Sequence, residues 1–253
     1  MGEQSSFEPQ KAMATLLTKR KKQINEIIGN KKLYSPKEAI VKIKEVTDKV
    51  KTKFDQTVEL SVRLGVDPKQ SDQQVRGSVP LPGGSGKKVK IVVIARGEKV
   101  KEAERAGADL VGSEELITNI EQGFLEFDKV VVTPDVMPQM AKLGRILGPK
   151  GLMPNPKDGT VATDLTKAIK ELQAGKVSFR AEKDSGVVQA PLGKASFSED
   201  KLLQNFSAVM DAINRVRPSS AKGIYIRSVY ISSTMGPGLK IDLASLDELH
   251  EHH

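Results

Sequence analysis

Two short segments, far apart in the chain, carry side chains suited to holding a polar ligand. In Lys53-Phe54-Asp55-Gln56-Thr57-Val58-Glu59 a cation and an aromatic ring precede a hydroxyl and a carboxylate at alternate positions. From Gln56 to Leu64 the period is two. Val58, Leu60, Val62 and Leu64 share one side of a strand, and Thr57, Glu59, Ser61 and Arg63 share the other. Near the C-terminus Ile224, Ile226, Ser228, Tyr230, Ser232 and Thr234 have one parity, and Met235-Gly236-Pro237-Gly238 makes a tight bend where backbone can close on a ligand. Taken singly, each segment reads as an ordinary half-buried strand with its turn. A third run, Leu143-Gly144-Arg145-Ile146-Leu147-Gly148-Pro149-Lys150-Gly151-Leu152-Met153-Pro154-Asn155-Pro156-Lys157, has two readings. Either its glycine amides cradle a phosphate with Arg145 and Lys150, or its prolines make it a rigid connector.

Composition removes several chemistries. The 253 residues contain no cysteine, so disulfides, thiolate zinc sites and cysteine nucleophiles are excluded, in keeping with a reducing cytosol. All three histidines, His250, His252 and His253, fall in the last four residues, leaving none in the body as acid, base or metal ligand. Gly84-Ser85-Gly86-Lys87 lacks the spacing and the following hydroxyl of a P-loop, and no G-x-G-x-x-G follows the apolar run Val89 to Ala95. No catalytic residue, metal site or cofactor is expected. No apolar run approaches the ~20 residues of a membrane span and the polar start has no signal-peptide core, so a soluble, unsecreted chain without a membrane partner is expected. Forty basic against 32 acidic residues give a net charge of +8, which favours a polyanionic partner. With aromatics at only 4%, such a partner would be held by charge, backbone and small polar groups rather than by a stacking platform.

The elements that must position these residues follow from period and caps. Met13, Leu16, Leu17, Ile24, Ile27 and Ile28 mark one helix face, which shares its helix with Lys19-Arg20-Lys21-Lys22. Ser35-Pro36-Lys37-Glu38 predicts a capping box opening a second helix with Ala39, Ile40, Ile43 and Val46 inward. After a short strand at Val75 to Val79 and the glycine-rich turn Gly83 to Gly86, the pattern changes. Apolar strands at Val89–Ala95, Ala108–Val111 and Val130–Val132 alternate with helices at Glu98–Arg105, Glu114–Ile120 and Val136–Leu147, the last interrupted by Pro138. That grammar predicts a parallel sheet covered on both faces, a three-layer Rossmann-like α/β unit. A helix from Asp164 to Leu172 leads to a second turn, Gln173-Ala174-Gly175-Lys176. Strand, turn and strand then precede a strong helix capped by Ser198, with Leu202, Leu203, Phe206, Val209, Met210, Ile213 and Val216 inward.

Neither flank looks complete alone. Residues 1–84 plus 177–253 are therefore expected to form one discontinuous α+β domain, a two-layer antiparallel sheet with helices, and 85–176 an inserted α/β domain. The N-terminal flank holds 16 basic and 10 acidic residues, the insert 15 and 13, and the C-terminal flank 9 and 9, so the excess charge lies on the discontinuous domain. The leader before about Ala14 and the tail from Asp247 are expected to be disordered.

Together the two polar segments and the Leu143–Lys157 run closely resemble the bacterial ribosomal protein L-one family from about Lys19 to Leu246. The resemblance implies a non-enzymatic constituent of the large ribosomal subunit, residing on a cytoplasmic or organellar ribosome. It further implies that the discontinuous domain binds large-subunit rRNA, that the insert forms the tip of the stalk beside the tRNA exit site, and that the protein assists release of deacylated exit-site tRNA. Repression of translation through its own operon mRNA, and contact with other components of the large subunit, are implied as well. The family's RNA contacts fall on Lys53, Phe54, Thr57, Glu59, Ser228, Thr234, Met235 and Gly236. Hydroxyls, a carboxylate acceptor and bare backbone suit the shallow RNA minor groove with its 2′-hydroxyls. The family segment Lys176 to Phe197 adds Arg180 and Lys194 as candidate phosphate contacts, while Gln189 stands where the family commonly has histidine. Two rival classes remain: an α/β enzyme acting on a phosphorylated ligand, which would have to use carboxylates alone, and a nucleic-acid chaperone with no preference for ribosomal RNA.

Overall fold

The computed structural model describes residues 18–29 and 31–247. Met13, Leu16 and Leu17, the polar leader, and His250, His252 and His253 lie outside the described residues.

Helix α1 (Lys19–Ile28) starts at Thr18, whose hydroxyl accepts the Lys21 amide, and buries Ile24. In α2 (Pro36–Lys49) both bonds of the Ser35–Glu38 capping box form, Pro36 stands at the start, and Ala39, Ile40, Ile43 and Val46 are buried. Lys31 bonds the Glu38 carboxylate at 2.6 Å and the Ser35 amide adds a second donor, which together hold it below the usual carboxylate range.

A four-stranded antiparallel sheet runs in the order β7 (Val187–Lys194), β1 (Thr57–Leu64), β8 (Ile226–Ser233), β9 (Leu239–Lys240). Strand alternation sends Val58, Leu60, Val62, Leu64, Val188, Leu192, Val229 and Ile231 to one side. There they pack on Ile40 and Ile43 of α2 and on Leu202, Phe206, Val209 and Ile213 of α6 (Glu199–Arg215). Among the described residues, helices cover only this face. Glu59, Arg63, Gln189 and Tyr230 on the other are exposed.

Val79 and Phe179 join the same core from a two-stranded antiparallel ribbon, β2 (Arg76–Pro80) with β6 (Lys176–Arg180). The core therefore draws on residues before 82 and after 178. Between them lies a parallel sheet ordered β4 (Leu110–Gly112), β3 (Ile91–Ile94), β5 (Lys129–Val132). Val92, Ile94, Val130 and Val132 face Ile117 and Ile120 of α4 (Glu114–Glu121), with Met140, Leu143 and Leu147. Ile91, Val93 and Val131 face Ala103 of α3 (Glu98–Arg105) and Leu165, Ile169 and Leu172 of α5 (Leu165–Gln173). Both faces are packed, as the apolar runs predict.

Two expectations need correction in detail. β4 is an edge strand whose Leu110 is exposed, so it is not buried like β3. The helical stretch expected at Val136–Leu147 is broken at more places than Pro138: from Pro134 it runs as four short helical segments, Pro134–Val136, Met137–Met140, Ala141–Leu143 and Gly144–Leu147, punctuated by prolines at 134 and 138 and the glycine at 144.

The two connections to the parallel sheet run side by side. Gly175 adopts φ +96°, and a Cβ there would stand 2.6 Å from the Ser85 amide. The first connection is fastened by Asn205, a fully buried side chain in α6. Its carbonyl oxygen accepts the Gly83 amide at 2.8 Å, and its amide nitrogen donates to the carbonyls of Gly84 at 3.0 Å and Leu192 at 2.6 Å. Among the described residues no helix is long and apolar enough to cross a membrane, and no cluster of acidic, cysteine or histidine side chains is placed to hold a metal.

Candidate nucleic-acid interface

The end of β1 and the turn after β8, 177 residues apart in the chain, are bolted together at the edge of the open sheet face. The Thr234 amide donates to the Thr57 carbonyl at 3.0 Å, and the Thr57 amide donates to the Thr234 hydroxyl at 3.0 Å. That hydroxyl in turn donates to the Thr57 carbonyl at 3.2 Å. The Thr234 hydroxyl is thus not free. Its proton and one lone pair are committed to backbone, and one acceptor site remains.

Gln56 explains why the next residue stands proud. Its parity is that of the buried Val58 and Leu60, and its side-chain oxygen accepts the Met235 amide at 3.1 Å. Arg20 of α1 donates to the Met235 carbonyl at 3.2 Å. With both backbone groups of Met235 held, its side chain projects and is 50% exposed. Gly236 continues the turn by donating to the Ser233 carbonyl at 2.9 Å, and a Cβ there would collide with the Ser233 hydroxyl.

Phe54 is 52% exposed, near Thr47 and Asp48 of α2 and Ser196, with its carbonyl accepting from the Thr52 hydroxyl at 2.7 Å. Asp55 is turned aside, where its carboxylate accepts the Ser196 hydroxyl at 2.7 Å. Lys194, pointed to by the sequence as a phosphate contact, belongs to this cluster: β7 pairs it with Thr57, and its ammonium donates to the Thr57 hydroxyl at 3.0 Å. Lys53 is exposed. Glu59 faces outward between Pro191 and Ser232, and no cation pairs with it among the described residues.

Thr57, Thr234, Met235 and Gly236 therefore come together, with Glu59 two residues along β1, while Lys53 and Phe54 precede the strand. Ser228 does not join them. It lies opposite Arg63, six residues back along β8 from Thr234, about 20 Å at the rise of a strand. Between them the open face carries Ser61 opposite Gln189 and Tyr230, residues with hydrogen-bonding capacity. Arg180 sits on the β2–β6 ribbon, and Arg145 and Lys150 are exposed beyond the parallel sheet, near the turns that follow Leu143. The amides of Gly148, Gly151 and Leu152 donate to the carbonyls of Gly144, Gly148 and Leu147, so the glycine-proline run spends them internally, as a rigid connector does.

The sequence reading missed Gln56, Arg20 and Asn205. A signal existed for Gln56, an amide at an inward position of a strand, which is tolerated only with a hydrogen-bond partner. Nothing local marks Arg20, whose partner is 215 residues away.

What the cluster can do chemically is bind. It offers an exposed apolar side chain at Met235, hydroxyls, an unpaired carboxylate acceptor, a turn with no Cβ at Gly236, and lysines at its rim. The family model described as ribosomal protein L1p/L10e matches residues 43–237. A protein of Gloeobacter violaceus named large ribosomal subunit protein uL1 is 51% identical over 233 residues, spanning 92% of this chain and 96% of its own. One of the same name from Prochlorococcus marinus is 53% identical over 237 residues, 94% of this chain and 99% of its own. These relatives are ribosomal proteins rather than enzymes, and this chain belongs to the L1p/L10e family of ribosomal proteins.

Proposed function

We propose that this protein is a structural constituent of the large ribosomal subunit that binds large-subunit rRNA through the open face of its antiparallel sheet, centred on Thr57, Glu59, Thr234, Met235 and Gly236. The observation that carries the reading is the turn held by Gln56 and Arg20, which leaves Met235 projecting at the end of a sheet face that no helix covers among the described residues. Such a flat, polar, weakly aromatic surface suits the RNA minor groove, where 2′-hydroxyls and base edges are read by small polar groups. Residues 1–84 plus 177–253 would form the rRNA-binding domain and 85–176 an inserted domain at the tip of a mobile stalk. In that position the protein would meet exit-site tRNA and assist its release. The same face would bind the operon mRNA and repress its translation when ribosomes are filled, so the two RNAs would compete. Ribosome association in the cytoplasm follows from this role.

Binding of a labelled rRNA stalk fragment, against bulk duplex as competitor, tests the reading. Met235→Asp should weaken binding by about 1–3 kcal/mol with the fold intact, because the change puts a charge against RNA and touches no core. Equal affinity for fragment and bulk duplex, or no effect of the substitution, would overturn it. Replacement of 85–176 by a short Gly-Ser linker should leave a folded protein with most of its rRNA affinity. A labelled operon leader should be displaced by the rRNA fragment.

A further inference from the structure

We propose that the cleft between the β2–β6 ribbon and the Gly148–Asp158 segment is a second RNA contact, in which Arg76 and Arg180 together clamp one phosphodiester. The inference rests on the reading of the chain as an RNA-binding protein, but uses a different surface and different chemistry.

The register of the ribbon sets Arg76 directly opposite Arg180. Alternation then divides the ribbon: Val79 and Phe179 enter the core, while Arg76, Ser78, Lys176, Ser178 and Arg180 share the other face. On that face the ribbon's own other cation, Lys176, is neutralised by Glu171 at 2.8 Å. The Ser178 hydroxyl is occupied as well, accepting the Lys129 ammonium at 3.2 Å. Among the described residues neither guanidinium of the arginine pair has a hydrogen bond or an ion pair. Like charges placed directly across a ladder destabilise it, and an anion between them removes the penalty. Two planar forks side by side match the oxygens of a phosphate, which each can hold by paired hydrogen bonds.

The cleft they face has a volume of about 480 Å³, ample for a nucleic-acid backbone. Its opposite wall includes Gly148 and Gly151, where the missing side chains leave the approach open, and Gly151 takes φ +68° to turn the loop. Because the Gly148, Gly151 and Leu152 amides are already bonded within the loop, that wall contributes shape rather than donors. Asp158 also lines the cleft, and it makes no ion pair with either arginine. A contact made by two guanidiniums to phosphate is blind to base sequence, so it adds affinity and orientation, whereas the sheet face supplies selectivity.

The test uses the full-length protein, with two probes. Inorganic phosphate titrated against protein with labelled arginine side chains should shift the Arg76 and Arg180 Nε–H signals together and to saturation, and Arg180→Gln should abolish the response at Arg76. For the rRNA stalk fragment, the Arg76→Gln/Arg180→Gln pair should weaken binding on the order of tenfold and flatten the slope of log affinity against log salt by about one. The Arg76→Lys/Arg180→Lys pair keeps the charge but not the forks and should recover the salt slope and only part of the affinity, which separates lost binding from lost folding. Met235→Asp should lose RNA affinity yet keep the phosphate response, so failure of the sheet-face reading and failure of this one are distinguishable. Linear, unsaturated shifts like those of exposed Arg105 would overturn the site. Saturable phosphate binding with an unchanged RNA salt slope would reduce it to a free-anion site and overturn the RNA contact.

Discussion

The molecule contains two sheets that solve burial in opposite ways. The parallel sheet is packed on both faces, by α4 and the turns before Leu147 on one side and by α3 and α5 on the other, so no strand side chain at its centre is free to meet a partner. Among the described residues the antiparallel sheet is packed on one face only, and its other face displays Glu59, Arg63, Gln189 and Tyr230. An open face costs apolar burial, which α2 and α6 recover on the covered side with fully buried Ile40, Phe206 and Ile213. Buried and outward side chains are thus divided by strand parity. Within β1 alone, Val58, Leu60 and Val62 hold the core while Thr57, Glu59 and Ser61 face away from it.

The largest test of that contrast is Asn205→Leu. Leucine fills similar space but strands the Leu192 carbonyl in a buried setting and the Gly83 amide and Gly84 carbonyl in half-buried ones. At about 1–3 kcal/mol per orphaned group, partly relieved by water at the surface connection, a loss of about 3–5 kcal/mol is expected in denaturant unfolding. The loss should fall on the antiparallel half, with the packing of the parallel sheet unchanged. A loss below about 1 kcal/mol would mean that the connection is not held by this side chain.

Alkaline titration separates the halves without mutation. All three tyrosines, Tyr34, Tyr225 and Tyr230, belong to the antiparallel half, and the parallel half has none. Tyr225 donates to the Ile213 carbonyl at 3.1 Å, and burial pushes its phenol up to about 12, against a smaller opposing pull from Arg217. A neutral acid favoured by the fold contributes stability that is whole below its unfolded value and is lost as pH rises through the folded one. The antiparallel half should therefore weaken by about 2–3 kcal/mol between about pH 10 and 12, and Tyr225→Phe should remove most of that pH dependence. Equal alkaline sensitivity in the Phe variant would assign the effect elsewhere.

Period and capping made much of this legible. The alternation of Val58 to Leu64, the Ser35–Glu38 box and the helix Glu98–Arg105 stand where the residues place them, because each is a local consequence of side-chain spacing. What was hidden depends on pairing across distance. The register that sets Arg76 against Arg180 joins strands 104 residues apart, and no local pattern encodes it. Asn205 looks like a polar interruption of a helix face until Gly83 comes to meet it. The threonines at 57 and 234 read as two free hydroxyls, whereas Thr234 closes on the Thr57 backbone and the Thr57 hydroxyl receives Lys194.

That last pair of contacts yields the smallest and most discriminating prediction. If Thr234 acts on RNA mainly by positioning the turn, its hydroxyl matters for the two bonds it makes to Thr57; if it acts as a contact, the free acceptor site matters as well. Thr234→Val keeps the shape and the β-branch but removes donor and acceptor, leaving the Thr57 amide to water at an exposed edge. The cost to stability should be about 1 kcal/mol, since exposed groups find water when their partner goes. Thr234→Ser restores both bonds and the acceptor, giving up only a methyl group, and should lie within about 0.5 kcal/mol of the native protein in stability and in rRNA affinity. Positioning predicts that Val lowers affinity together with order in the turn, visible as faster exchange of the Met235 amide that Gln56 holds. Direct contact alone predicts lower affinity with that amide as protected as before. An affinity unchanged in Val would remove Thr234 from the site and leave Met235 and Glu59 to carry recognition on the open face.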